Sequence, residues 1–102
     1  MGFPNGVAKS VFVDKRKDKH IVDTRVALLG IIIENKDSIE KINSLLHEYR
    51  TYIIGRMGIP YEKRNISVIS IALDAPTDIV SALSGKIGRL PGVSTKAVYS
   101  KV

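Results

Sequence analysis

Two histidines, no cysteine and an arginine between two glycines are the raw material for chemistry in this chain of 102 residues. His20 sits in a basic run with Lys15, Arg16, Lys17 and Lys19. His47 lies on a helical pattern beside Glu48. Adjacent helical residues point about 100° apart, so that His–Glu pair is not a natural bidentate metal ligand. Histidines and carboxylates converging from different subunits are the one route left to a metal site. The lack of Cys excludes thiol chemistry, cysteine-ligated iron–sulfur clusters and disulfides. Asp74 and Asp78, four apart at the expected start of a helix, are explained by capping. No Ser or Thr is evidently coupled to a His and a third orienting residue. Ser84-Gly85-Lys86 has the ending of a phosphate loop without its upstream glycines, and it falls inside a helical pattern. Gly85 and Gly88 read there as small residues for close helix packing. The chain is therefore expected to be no enzyme, with no cofactor and no metal.

The strongest candidate for recognition is the stretch Gly55-Arg56-Met57-Gly58-Ile59-Pro60-Tyr61. Two glycines in a strand permit a bulge or a close backbone approach, and Pro60 is expected to end the strand. Arg56 suits a carboxylate or phosphate, and Tyr61 is placed to close one side. The plainer reading is a hairpin connection beside a subunit contact. A second anion site is conceivable in residues 34–37, at the N-terminus of a helix, although Asn35 is also a good cap for that helix.

These residues need elements to hold them. Residues 26–33, 52–59, 66–73 and 93–99 have strand character, and helical patterns cover 36–49 and 77–89. In the first helix Ile39, Ile42, Leu45, Leu46 and Tyr49 recur at three- and four-residue spacing. In the second, Ile79, Leu83 and Ile87 share a face, with Pro76 at the start and Pro91-Gly92 at the stop. The order βαββαβ is that of a ferredoxin-like split module, α+β, with an antiparallel sheet in strand order 4-1-3-2 and two helices on one face. Residues 27–33 and 66–73 are apolar on both sides and suit the inner positions. The other two strands suit the edges.

Val26, Leu28, Gly30 and Ile32 alternate with Ala27, Leu29, Ile31 and Ile33, so either parity leaves hydrophobes on the face that the helices do not cover. An uncovered apolar face is a contact surface. A homo-oligomer, dimer or tetramer, is expected through that face or a sheet edge. The alternative is a monomer with the N-terminal appendage folded across it.

At this length the chain has room for one core. Residues 1–23 read as an N-terminal extension, with a short extra strand conceivable at 10–13, and residues 24–102 as the domain. The net charge is +6, but five basic and three acidic residues fall in the extension and the rest are scattered. Nucleic acid is thus a possible partner and not the favoured one. No apolar run is long enough to span a bilayer, and the N-terminus lacks a signal-peptide pattern, so a cytoplasmic protein without membrane contact is expected.

Three segments carry a family resemblance: Leu29-Gly30-Ile31-Ile32-Ile33-Glu34-Asn35, Ile54 through Tyr61, and Ala82 through Val93. Together they resemble the family of iron-only hydrogenase system regulators, over about three quarters of the chain. The resemblance implies an ACT-like fold, related to the C-terminal domain of the nickel-responsive repressor, and a small oligomeric regulator. ACT domains often bind amino acids near the first strand–helix loop and a subunit interface. By that analogy the candidate ligand contacts are Gly30, Asn35, Gly55, Arg56, Gly58 and Tyr61, with an amino acid or a small anion as ligand. The resemblance carries no catalytic residues over, and the nickel-binding set of histidines and a cysteine is absent. The function it implies is small-molecule sensing or signal relay in the iron-only hydrogenase system. The alternatives are a ligand-free interaction module and a DNA-binding regulator.

Overall fold

Alternation along the first strand decides the architecture. In a computed structural model describing residues 23–101, Ala27, Leu29, Ile31 and Ile33 are buried while Val26, Leu28, Gly30 and Ile32 are exposed. Strand side chains alternate between faces, so this strand, β1 (Arg25–Ile33), presents one face to a core and the other to solvent. The remaining elements are α1 (Ile39–Glu48), β2 (Ile53–Tyr61), β3 (Ile66–Ala75), α2 (Thr77–Gly88) and β4 (Val93–Tyr99). The four strands form one antiparallel sheet in the order β2-β3-β1-β4. This is the expected ferredoxin-like topology, with the two strands apolar on both sides in the middle. The strand expected at 10–13 and the basic cluster around His20 lie outside the described residues.

Both helices pack on the same side. Ile42 and Leu46 of α1 and Leu83 and Ile87 of α2 join Leu29, Ile31, Ile33, Ile69, Ile71 and Leu73 in one core. Val80 closes a smaller cluster with Ala27 and Ala75. Ile39, Leu45 and Tyr49 line the flank of the main core, so the whole predicted stripe of α1 is used. Loss of any fully buried Leu or Ile here would cost roughly 2–5 kcal/mol.

The ends of the elements differ from the expected bounds for local reasons. The first helix opens with a 3-10 turn, Lys36–Ser38, capped by Asn35, whose Oδ1 accepts from the Asp37 N–H at 2.9 Å. β2 runs through Pro60 to Tyr61 rather than stopping before it. A proline is tolerated on an edge strand because its missing N–H would have faced outward. The register slips between Ile53 and Gly55, a bulge that the two glycines had suggested. Gly88 does permit close packing, since a Cβ there would lie 3.0 Å from the Thr95 hydroxyl. Gly85 does not, because its nearest neighbour would be the Arg89 guanidinium at 3.5 Å.

Two loops are latched together at the end of the sheet where β1 gives way to α1. The Glu34 N–H donates to the Gly92 carbonyl at 2.7 Å. Ser38, the one buried polar side chain among the described residues, donates from Oγ to the Pro91 carbonyl, also at 2.7 Å. Gly92 has φ +69°, and a Cβ on it would meet the Asn35 Cβ at 2.7 Å. Position 92 thus needs glycine for both its backbone conformation and its neighbour. Gly58 has nothing within 4 Å of a built Cβ.

Gly92→Ala should therefore lower unfolding free energy by about 1–3 kcal/mol, measured by chemical denaturation. Gly58→Ala should be neutral or stabilising by up to about 1 kcal/mol. Equal losses at both positions would contradict the latch.

Candidate functional site

Directly opposed residues of an antiparallel pair point to the same face of the sheet, which places the six candidate ligand contacts. Gly30, opposite Ser70 and Lys96, lies in the middle of the uncovered face. Gly55, opposite Ala72, and Tyr61, opposite Ile66, belong to that face as well. Arg56 is opposite the buried Ile71 and Gly58 is opposite Ile69, so both belong to the helix-covered side. Asn35 stands apart, at the latch. Within one subunit the six do not converge. Gly30, Gly55 and Tyr61 share one surface, Arg56 and Gly58 another.

The loop after β1 is already committed. Besides the Glu34 and Asp37 N–H groups, that of Ser38 donates to the Asn35 carbonyl at 3.0 Å and that of Ile39 to the Lys36 carbonyl. An anion would compete with these bonds and with the exposed Glu34 and Asp37 carboxylates. Four of the loop's N–H groups, those of Glu34, Asp37, Ser38 and Ile39, are thus engaged in holding the fold.

Ser84-Gly85-Lys86 is part of α2 and forms no phosphate loop. The Ser84 hydroxyl lies 3.0 Å from that of Thr95 on β4. The Lys86 ammonium donates to the Tyr49 hydroxyl at 2.8 Å, linking the helices, and this bond holds its pKa above the usual lysine value. Asp78 accepts from the Ile79 N–H at 3.0 Å, at the start of α2. Among the described residues no group of three or more His, Asp or Glu is placed to hold a metal.

Arg56 finds different company. Its guanidinium donates to Asn43 Oδ1 on α1 at 3.2 Å. There α1 and β2 border a cleft of about 370 Å³ lined by Asn43, Leu46, His47, Arg50, Ile53 and Arg56. Arg50 donates to the His47 carbonyl at 2.9 Å, so its guanidinium is held against the end of α1. Of these the sequence had singled out Arg56 as an anion contact, His47 as a candidate metal ligand and Leu46 as a core position, but not their meeting here. A signal was present: Asn43 and His47 stand four apart on one face of α1, and Arg50 follows three residues later in the 3-10 turn Arg50–Tyr52.

The sheet face that no described element covers is the larger feature. Val26, Leu28, Ile32, Met57, Ile59, Tyr61 and Val98 are large hydrophobics exposed upon it, Val98 to 64% and Met57 to 61%. Val68, Ser70 and Ala72 fill the positions between them, partly buried by their neighbours. Lys96 marks one border and Asp74 another. No helix among the described residues is long and apolar enough to cross a membrane.

Comparison with known proteins gives two kinds of result. A family model described as "TM1266-like: Iron-only hydrogenase system regulator, putative" matches residues 25–97. Among solved structures, the chain is similar to the uncharacterized protein TM1266 from Thermotoga maritima, at 32% identity and a TM-score of 0.74, over 78% of this chain and 100% of that one. It is also similar to a formyltetrahydrofolate deformylase from Pseudomonas putida, at 11% identity and a TM-score of 0.55, over 72% of this chain and 28% of the deformylase. The second likeness is one of fold alone. No protein with a curated description matches the chain.

Proposed function

This chain belongs to the TM1266-like family of iron-only hydrogenase system regulators, and on that premise we propose that it works as an oligomeric ACT-like module whose assembly responds to a small ligand. The family is described as a regulator and not as an enzyme. What carries the reading is the uncovered sheet face with its seven exposed hydrophobics. A patch of that kind on a small domain marks an interaction surface.

The magnitudes are compatible with association through this face. Each of these half-exposed side chains gains roughly 1 kcal/mol on full burial, and a two-fold pairing uses every one of them twice. The gain of roughly 15 kcal/mol stands against an association cost of about 4–15 kcal/mol. The net, roughly 0–11 kcal/mol in favour of association, is enough to hold a pair together, and a ligand that prefers one state over the other shifts it by its differential affinity. Gly30 and Gly55 add support. Within 4 Å a Cβ at Gly30 would meet only the Lys96 carbonyl, at 3.8 Å, and one at Gly55 would meet nothing, so packing inside the subunit does not require glycine at either. A flat centre of this kind admits a second sheet at close range.

The full-length protein should run as a dimer or tetramer by light scattering. Leu28→Lys, a charge at the middle of the face, should shift it to monomer while leaving its circular dichroism unchanged. A wild-type chain that stays monomeric at high concentration would remove the assembly reading and favour residues 1–22 as the cover. Unchanged mass in the Leu28→Lys protein would move the contact off this face.

A further inference from the structure

We infer that the cleft between α1 and β2 binds a small organic carboxylate that carries an apolar body and no amine. The inference deepens the ligand-responsive part of the proposed function, on which it rests for its biological meaning, by giving that ligand a place and a chemical class.

Two guanidiniums border the cleft. Arg56 spends a single contact on Asn43, and Arg50 a single contact on the His47 carbonyl. Neither has a carboxylate partner among the described residues. Each retains most of its planar fork of donors, the geometry that recognises a carboxylate. The two contacts also orient the forks: Asn43 fixes Arg56 from the helix side, and the carbonyl at the end of α1 fixes Arg50. The Arg50 contact covers the negative end of the helix, which would otherwise oppose an anion.

The floor is of the opposite character. Leu46 is almost fully buried and Ile53 is half-buried, and both line the cleft. Ile53 supplies most of the apolar surface open to the body of a ligand whose charged end lies at the arginines, Leu46 adding little of its own. The groove is shallow, with Asn43, His47, Arg50 and Arg56 all exposed, and its volume of about 370 Å³ seats a small molecule at the surface rather than enclosing it. An ammonium has no counterpart here. The lining contains no carboxylate, and the Asn43 Oδ1 is taken by Arg56. An amino acid would place its positive end among two arginines with nothing to receive it. The oxo acid of the same carbon skeleton would not.

Calorimetric titration of the full-length protein with 4-methyl-2-oxopentanoate, leucine and inorganic phosphate tests the assignment. The oxo acid should bind saturably and at least about tenfold more tightly than the other two. Arg56→Gln and Arg50→Gln should each weaken it by about tenfold, and Arg64→Gln, outside the cleft, should not change it. The assignment is overturned if no probe saturates, if leucine or phosphate binds as tightly as the oxo acid, or if both cleft variants bind like wild type. Light scattering on the same samples separates the two proposals. Oxo-acid binding that depends on Arg50 and Arg56 without any change in mass upholds the cleft and removes ligand-controlled assembly. A mass that depends on Leu28 with no probe bound upholds the assembly and removes the cleft.

Discussion

The structure turns on an imbalance between strands and helices. β1 is apolar on both faces, and β3 nearly so, yet two helices of modest length can cover only one side of a four-stranded sheet. Everything on the covered side is resolved inside the chain: Leu29, Ile31, Ile71 and Leu73 meet Ile42, Leu46, Leu83 and Ile87 with no exposure of consequence. The other side is left with the same kind of residue and no lid among the described residues. Stability and association are therefore not separate subjects. Hydrophobicity beyond what one core requires has been placed where a second surface can use it.

The β1–α1 loop shows how a familiar location can be put to structural use. In this chain its backbone donors close a 3-10 turn and fasten the loop to the turn before β4. The buried Ser38 and the left-handed Gly92 belong to the same fastening. That connection joins the first and last thirds of the domain, so the ends of the two βαβ halves are held in register by hydrogen bonds as well as by the core. Charge capable of meeting a ligand collects elsewhere, where α1 ends and β2 begins. There Asn43 and His47 of α1, and Arg50 just beyond it, stand beside the strand edge while remaining open to solvent.

Much of this was legible in the residues. The two-sided apolar pattern of residues 27–33 and 66–73 placed those strands in the middle, and the three-and-four spacing from Ile39 to Tyr49 gave the helix face. Asn35 announced its cap, and Pro91-Gly92 the turn. What could not be read was which way β2 faces. Arg56 and Tyr61, five residues apart, fall on opposite faces by alternation alone, but the bulge before Gly55 shifts the parity of the strand and so decides which face each one takes. Composition likewise does not distinguish a glycine that relieves a clash, such as Gly88, from one that faces open space, such as Gly58. The cleft was hidden for a related reason: its residues come from a helix and a strand whose approach is decided by tertiary packing, and only Arg56 lay in a conspicuous motif.

The bulge and the proline on β2 have one more effect. An uninterrupted outer strand would offer a regular row of amide and carbonyl groups to which another strand could add, and another to that, without limit. Here the row is broken at Ile54 and lacks a donor at Pro60. β4, the opposite margin, is only seven residues long. Sideways addition of strands is thereby discouraged at both margins, while the sheet face between them stays accessible.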